Sequence, residues 1–267
     1  MTMNAVLATL TENLDYLRER KPLIHNITNL VVSNVTANAL LALGASPAMV
    51  ENTEESAELA MVADALVVNL GTVSSSLAAA MQLATKAASE ANRPWVMDPV
   101  AVGALGYRTR LAKALLLNRP TVIRGNASEI AALADGAGGG KGVDSTLRTE
   151  AVTGQADRLA ATAGCVVVVS GAIDYVTDGK QTVRIANGHP MMTQVTGMGC
   201  TATAVVGAFL AVTEQPLIAA AQAMLMVGVA GELARERAKG PGSLQVEFLD
   251  LLYELTGDQI IARARLL

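Results

Sequence analysis

The sequence predicts an α/β fold, in which a central and mostly parallel sheet carries helices on both faces. Segments with the apolar spacing of helices alternate along the 267 residues with short strand-like runs. The runs at 65–70 and 165–170 are continuously apolar, which is typical of parallel strands buried on both sides. Hydrophobic residues make up 51% of the chain but aromatic residues only 3%, which favours closely packed helices on a sheet over a β-sandwich.

The first hundred residues alternate between helix and strand patterns. Strands are predicted at 23–27, 47–50, 65–70 and 94–97. Helices are predicted around them: an opening amphipathic helix that ends before Pro22, one closed by Gly44, one capped by Asn52 or Thr53, and one that runs from Ser74 to about residue 92.

The remainder of the chain continues the alternation. Helices are predicted at about 109–117, from about residue 127, and at about 150–163, with strands at 121–123 and 165–170. Residues 174–187 alternate as in a β-hairpin whose turn is Asp178-Gly179, and three helices follow, the last two separated by 240–243. Because no linker or internal repeat divides the chain, we predict one domain spanning 1–267.

Charge and composition exclude several classes of function. The net charge is −4 without a basic block, which argues against nucleic acid or an anionic membrane as a partner. Two cysteines fit a reducing compartment, and the N-terminus lacks the pattern of a signal peptide. The apolar stretches 202–212 and 217–233 are separated by Glu214 and Pro216, so we expect buried helices in a cytoplasmic protein.

The most informative stretch is the glycine turn Gly197-Met198-Gly199-Cys200, which precedes an apolar helix. A helix that begins on such a turn directs free N–H groups and its positive dipole end at an anion, such as a phosphate. Cys200 then lies where thiol pKa values are lowered. The alternative is a glycine turn that leads into a buried helix with a small apolar cysteine.

Other polar or small residues follow the predicted strands, where open α/β sheets bind ligands. They are Asn26, Met49, Asn69, Gly71, Asp98, Arg124, Asn126, Glu129 and Ser170. Two carboxylates and an arginine suit Mg²⁺ and nucleotide phosphates. These three charged residues also have structural interpretations. Asp98 precedes a proline and can form a turn, Glu129 lies in the first turn of a helix and suits its dipole, and Arg124 can pair with a carboxylate. We interpret His25 and His189 as structural.

A conspicuous glycine-rich loop at 136–142 matches no standard nucleotide motif. Asp135 stands where a phosphate-binding loop requires its first glycine, and Gly142 where it requires a hydroxyl. The loop also follows a helix rather than a strand, so we interpret it as a surface loop.

Taken together, these segments resemble the hydroxyethylthiazole kinases, the thiamine-salvage enzymes of the ribokinase-like superfamily. The resemblance rests on residues 25–29 (HNITN), 41–49 (LALGASPAM), 69–72 (NLGT), 98–104 (DPVAVGA), 124–129 (RGNASE), 174–179 (DYVTDG) and 197–200 (GMGC). They span nearly the whole chain in the family's order.

The resemblance implies transfer of the ATP γ-phosphoryl group to the hydroxyethyl oxygen of 4-methyl-5-(2-hydroxyethyl)thiazole, with Mg²⁺. It implies a homotrimer with its active sites between subunits. The resemblance implies thiazole contacts by Met49 and Gly197, ATP contacts by Arg124 and Ser170, and acidic positions near Mg²⁺ at Asp98 and Glu129. From their places at the strand ends we add Asn26 and Gly71 to the thiazole side and Asn126 to the ATP side. The predicted catalytic group is Gly197, Gly199 and Cys200.

Two positions depart from the family pattern. Met198 stands where the family commonly has threonine, and Ser170 where threonine is usual. Cys200 occupies a position at which other ribokinase-like enzymes usually carry aspartate, which counts against a hydroxymethylpyrimidine kinase or an ATP-dependent hydrate dehydratase. A catalytically silent nucleotide-binding protein on the same fold is the alternative from another class.

Overall fold

The computed structural model describes residues 2–135 and 148–267, so the glycine-rich loop lies outside the described residues. In the described part, eight strands form one sheet. They are β1 Leu23–Ile27, β2 Ser46–Ala48, β3 Ala65–Asn69, β4 Trp95–Asp98, β5 Val122–Asn126, β6 Val166–Ser170, β7 Asp174–Thr177 and β8 Thr182–Ile185. One continuous sheet supports the single-domain organisation that we propose.

The sheet is parallel except at one edge. Its strand order is β2-β1-β3-β4-β5-β6-β7-β8, and the strands from β1 to β6 pair in parallel. Strands β7 and β8 form the predicted hairpin, whose turn residues include Asp178 and Gly179. The parallel register places the carboxyl ends of six strands along one edge, where Asn69 pairs with Asp98 and Asn126 with Ser170.

Twelve α-helices precede, connect and follow the strands within the described ranges. They are α1 Thr2–Ala8, α2 Leu10–Arg20, α3 Ser33–Leu43, α4 Ser56–Val62, α5 Ser75–Glu90, α6 Gly106–Leu116, α7 Ala127–Asp135, α8 Thr153–Ala163, α9 Met198–Leu210, α10 Pro216–Arg237, α11 Pro241–Glu254 and α12 Gly257–Arg263.

Two hydrophobic cores lie on opposite faces of the sheet. Alternate strand residues such as Val67 and Val96 pack with α2, α3, α9, α10 and α11. Their neighbours Leu66 and Met97 pack with α5, α6, α7 and α8 on the other side. The alternation follows from the period of two along a strand, and it confirms helices on both faces of a mostly parallel sheet.

Helix α10 is long and apolar enough to cross a membrane, but 89% of its most apolar stretch is buried within the protein, as in a core helix. Its polar residue Gln222 is fully buried and satisfied. The side-chain amide donates to the Val6 carbonyl (2.8 Å) and accepts from Asn13 Nδ2 (2.8 Å). Gln222 thereby bonds the N-terminal helices to the core.

Several predicted boundaries are wrong for local reasons. The opening helix is divided in two at Thr9, and four helices rather than three follow the hairpin. Helix α4 begins after Glu55, not at Asn52 or Thr53, because Asn52 Oδ1 accepts from Glu54 N in a preceding turn. The capping of α5 by Ser74 is confirmed, since its hydroxyl accepts from Leu77 N (3.2 Å).

Candidate active site

The carboxyl ends of the parallel strands change from apolar to polar on the face that α9 covers. Val67, Val96 and Val122 belong to the core on that face. Two residues further along each strand, at the same side of the sheet, come Asn69, Asp98 and Arg124. The same pattern places Asn26 at the end of β1 and Ser170 at the end of β6. Five neighbouring strands therefore present a polar residue at one edge.

Helix α9 begins within the glycine turn, at Met198, two residues earlier than a helix that follows both glycines. Gly197 is its N-cap at φ 85°, and a Cβ there would lie 2.5 Å from Val32 Cγ1. The first helical hydrogen bond runs from Thr201 N to Gly197 O (2.8 Å). The N–H groups of Gly199 and Cys200 therefore precede the helical ladder and are placed to bind an anion.

A chain of hydrogen bonds joins the first turns of α9 to the strand ends. Asn69 Nδ2 donates to Asp98 Oδ2 (2.8 Å), which also accepts from Thr203 Oγ1 (2.7 Å). Asn69 Oδ1 accepts from Asn29 Nδ2 (2.8 Å), which lies 3.6 Å from Cys200 Sγ. Sequence reasoning missed Asn29 and Thr203. The signal for Thr203 was its place one turn after Gly199 in a mostly apolar helix.

The thiol of Cys200 contradicts the predicted lowering of its pKa. Burial, and after it the negative charge of Asp98, raise the pKa of Cys200 to about 12. Hydrogen bonds with Asn69 and Asn29 and the charge of Arg124 oppose this rise without outweighing it. The helix N-terminus therefore does not make Cys200 a thiolate at neutral pH, because desolvation disfavours the charged form more strongly.

Arg124 lies against the start of α9. A Cβ at Gly199 would lie 2.8 Å from Arg124 Nη1, so a larger residue there would displace the guanidinium from its position. The charge of Arg124 lowers the pKa of Asp98 and Glu129 against the effect of burial. A cation beside free helix N–H groups is an arrangement that suits a phosphate.

Asp98 and Glu129 are both buried, with 2% and 5% of their surface exposed. Burial raises the pKa of Asp98, and burial followed by the charge of Asp98 raises the pKa of Glu129 to about 7. The two carboxylates therefore lie close enough to repel one another, and a divalent cation near them would relieve that repulsion. This donor set fits Mg²⁺.

The site suits a Mg²⁺ ion whose other ligands are water molecules and substrate phosphates. Among the residues described, no group of three or more His, Cys, Asp or Glu side chains could hold a metal ion. Both oxygens of Glu129 accept backbone N–H groups, from Ala101 (2.9 Å) and Asn126 (2.9 Å). Mg²⁺ usually keeps several waters and binds through one or two carboxylates plus substrate phosphates, which matches this arrangement.

Asn126 and Glu129 form a reciprocal cap at the start of α7. Asn126 Oδ1 accepts from Glu129 N (3.0 Å), while Glu129 Oε2 accepts from Asn126 N. This is the capping box that an Asn-x-x-Glu spacing can signal, and it explains how Glu129 is oriented. Ser170 Oγ donates to the Gly125 carbonyl (3.3 Å) on the adjacent strand.

The three remaining predicted substrate contacts differ in their placement. Met49 follows β2 at the edge of the sheet and is half-buried. Asn26 is buried, and its amide donates to the Ile24 carbonyl (2.8 Å). Gly71 N donates to Asn69 Oδ1 (2.9 Å), and a Cβ at Gly71 would lie 2.6 Å from Asn29 Nδ2. The thiazole contacts of all three remain predictions.

The histidines and Cys165 lie outside this group. His25 is buried, with Nε2 2.7 Å from the Val50 carbonyl, and His189 Nδ1 accepts from Met191 N in a short 3₁₀ turn. Cys165 lines a cavity of about 550 Å³ that also includes Asp178 and Glu214. Since Cys165 precedes β6, the cavity lies at the opposite edge of the sheet from the polar strand ends.

Comparisons with known proteins assign the chain to a family. The model of the hydroxyethylthiazole kinase family matches residues 14–258. A hydroxyethylthiazole kinase from Granulibacter bethesdensis is 62% identical over 252 residues, which are 93% of this chain and 92% of that protein. One from Leptospira interrogans is 52% identical over 248 residues, covering 93% of this chain and 94% of that protein.

Solved structures agree with the sequence relatives. The hydroxyethylthiazole kinase protein of Pyrococcus horikoshii superposes with a TM-score of 0.90 at 43% identity, covering 97% of this chain and 98% of that one. The pyridoxal kinase of Staphylococcus aureus shares the fold at 18% identity, with a TM-score of 0.56 over 79% of this chain and 88% of that one. These matches confirm the predicted ribokinase-like fold, and the chain belongs to the hydroxyethylthiazole kinase family.

Proposed function

We propose that the protein transfers the γ-phosphoryl group of ATP to the hydroxyethyl oxygen of 4-methyl-5-(2-hydroxyethyl)thiazole, in thiamine salvage. Family membership over nearly the whole chain supports the reaction and its acceptor. The observation that carries the proposal is the convergence of Arg124, Asp98 and the free N–H groups at the start of α9 on one edge of the sheet.

The residues at this edge have separable roles. The N–H groups of Gly199 and Cys200 would bind oxygens of the transferred phosphoryl group, and Arg124 would balance their charge. Arg124, Asn126 and Ser170 would contact ATP, while Met49, Asn26, Gly71 and Gly197 would form the thiazole side. Phosphoryl transfer demands positioning and charge stabilisation above all, and this arrangement supplies both.

Asp98 and Glu129 would hold Mg²⁺ together with the nucleotide. When bound, the ion supplies positive charge that neutralises phosphate oxygens. The two side chains are already fixed, Asp98 by Asn69 and Thr203 and Glu129 by the backbone at Ala101 and Asn126. Little rearrangement of either carboxylate is then required when the nucleotide binds.

Cys200 would accept the proton of the attacking hydroxyl only weakly, because its thiol is neutral at physiological pH. We assign it a supporting role beside the reacting oxygen. A loose phosphoryl-transfer transition state requires little help from a base, so the reaction does not depend on a thiolate.

An assay with Mg²⁺-ATP and hydroxyethylthiazole tests the reaction, following ADP release and the mass of the thiazole. We expect thiazole-dependent ADP and a singly phosphorylated thiazole. Binding of ATP without turnover of the thiazole or of hydroxymethylpyrimidine would instead identify a catalytically silent nucleotide-binding protein.

We further propose a cytoplasmic homotrimer with its sites between subunits. Two free cysteines are consistent with a reducing compartment. Leu30 and Val31 are 80% and 59% exposed directly after Asn29, and these apolar side chains beside the site suit a subunit contact. Light scattering on the eluted protein should give three times the 27.5 kDa mass of the chain, and a monomer mass would contradict the trimer.

A further inference from the structure

Asn69 occupies the junction of the hydrogen bonds that connect the two sides of the site. Its amide oxygen accepts two N–H groups, from Asn29 Nδ2 (2.8 Å) and from the backbone of Gly71 (2.9 Å). Both bonds fix the orientation of the amide plane. Because the oxygen is held in this way, Asn69 Nδ2 is directed at Asp98 Oδ2, 2.8 Å away.

Asp98 Oδ2 accepts a second hydrogen bond, from helix α9. Thr203 Oγ1, on the second turn of α9, donates to it at 2.7 Å. A strand end and a helix that are more than a hundred residues apart thus hold the same oxygen atom. Two donors are a full complement for one carboxylate oxygen in a buried site, so the rotation of the Asp98 carboxylate is fixed.

Gly71 and Asn29 complete the arrangement. A side chain at Gly71 would strike the Asn29 amide at 2.6 Å, so glycine is required for Asn29 to reach Asn69. Asn29 Oδ1 is itself held by Val31 N (3.0 Å). The Asn29 amide therefore has a fixed orientation, with its Nδ2 between Asn69 Oδ1 and Cys200 Sγ.

We propose that Asn69 and Thr203 are positioning residues for the phosphoryl transfer, and that they act by fixing the carboxylate of Asp98 relative to the start of α9. The inference rests on the proposed function, because it gives Asp98 a place beside the nucleotide. It adds that Asp98 works only when both donors hold Oδ2, and that Gly71 also leaves the space in which the Asn29 amide reaches Asn69.

The test compares kcat and KM for Asn69→Ala, Thr203→Val and Thr203→Ser with the wild type. Thr203→Val keeps the shape of the side chain and removes only the donor, so it tests the claim even if Asn69→Ala does not fold. Asn187→Ala is the matched control, since Asn187 is also buried and bonded, but to Glu232 and the Arg263 carbonyl near the C-terminus.

We expect Thr203→Val and Asn69→Ala each to lower kcat about tenfold or more, the factor expected for one hydrogen bond to a charged group. KM for the alcohol should change less than about threefold, since both donors bond to Asp98 and neither belongs to the proposed thiazole contacts. Thr203→Ser should restore most of the lost kcat, and Asn187→Ala should lower thermal stability without lowering kcat.

A kcat of Thr203→Val within twofold of the wild type would overturn the inference, as would a loss that appears only in KM. All variants are measured with the alcohol that the wild type phosphorylates, thiazole or pyrimidine. If the thiazole assignment is wrong, the wild type will not phosphorylate the thiazole. If only the positioning role is wrong, the wild type will phosphorylate it and the kcat of the variants will not fall as expected.

Discussion

At the scale of single residues, the site contains buried carboxylates that all interact with the positive charge of one arginine, Arg124. The charge of Arg124 lowers the pKa values of Asp98, Glu129 and Asp174, and in each case burial has the larger and opposite effect. Such opposed shifts are common where proteins bind a further charged ligand. The same burial keeps Cys200 protonated, which the position of this residue at a helix start did not predict.

Replacement of Cys200 by alanine should leave the enzyme active. Because the thiol is neutral, its loss removes a polar contact rather than a general base, so we expect kcat to fall by less than about a hundredfold. Steady-state kinetics of Cys200→Ala with Mg²⁺-ATP and the thiazole measure this. Complete loss of turnover in a variant with an unchanged circular dichroism spectrum would show that Cys200 is essential.

The buried carboxylate of Asp174 should make the protein less stable as the pH rises. Burial raises its pKa to about 7, above the value of about 3.9 in an unfolded chain. The folded state therefore binds the proton more tightly, and the stabilisation present below pH 4 is lost as the pH rises to 7.

The comparison of wild type with Asp174→Asn isolates this contribution. Asparagine can still accept from Gly171 N, as Asp174 Oδ1 does (2.9 Å), but it does not titrate. We expect urea unfolding to show a smaller difference in stability between pH 5 and pH 8 in the variant, by at least about 1 kcal/mol. If the stability difference between pH 5 and pH 8 is the same in the variant and the wild type, Asp174 does not lose its proton in this pH range.

At the scale of elements, the start of α9 was the part of the site most open to prediction. Two glycines before an apolar run indicate both the turn and the free N–H groups, and the structure has both. The sequence could not show which side chains approach these glycines, because Val32 and Arg124 come from distant segments. Long-range contacts of this kind leave no local pattern.

Gly197→Ala should destabilise the protein by about 1–3 kcal/mol, because alanine at φ 85° is strained and its Cβ would strike Val32. The matched control is Gly242→Ala, in the first turn of α11, where a Cβ meets nothing within 4 Å. Alanine favours a helix there, so the control should be neutral or slightly stabilised. Urea unfolding of both variants measures the difference, and equal midpoints would contradict the role given to Gly197.

At the scale of the whole molecule, the parallel register brings together residues from β1 to β6 that are far apart in sequence. The alternation of apolar strands and helices predicted this edge, and with it the convergence of Asp98, Arg124 and Ser170. What it could not predict is which polar residues bond to one another. Thr203 lies in an apolar helix, and its partner became clear only from the packing of α9 on β4.

The most direct test of the central claim is the comparison of kcat/KM for hydroxyethylthiazole and hydroxymethylpyrimidine as acceptors with Mg²⁺-ATP. Specificity is a ratio of such values and reflects differential stabilisation of the transition state. We predict a preference of at least about a hundredfold for the thiazole, with the phosphate on its hydroxyethyl oxygen. Equal use of both alcohols, or a preference for the pyrimidine, would contradict the proposed function while leaving the fold unaffected.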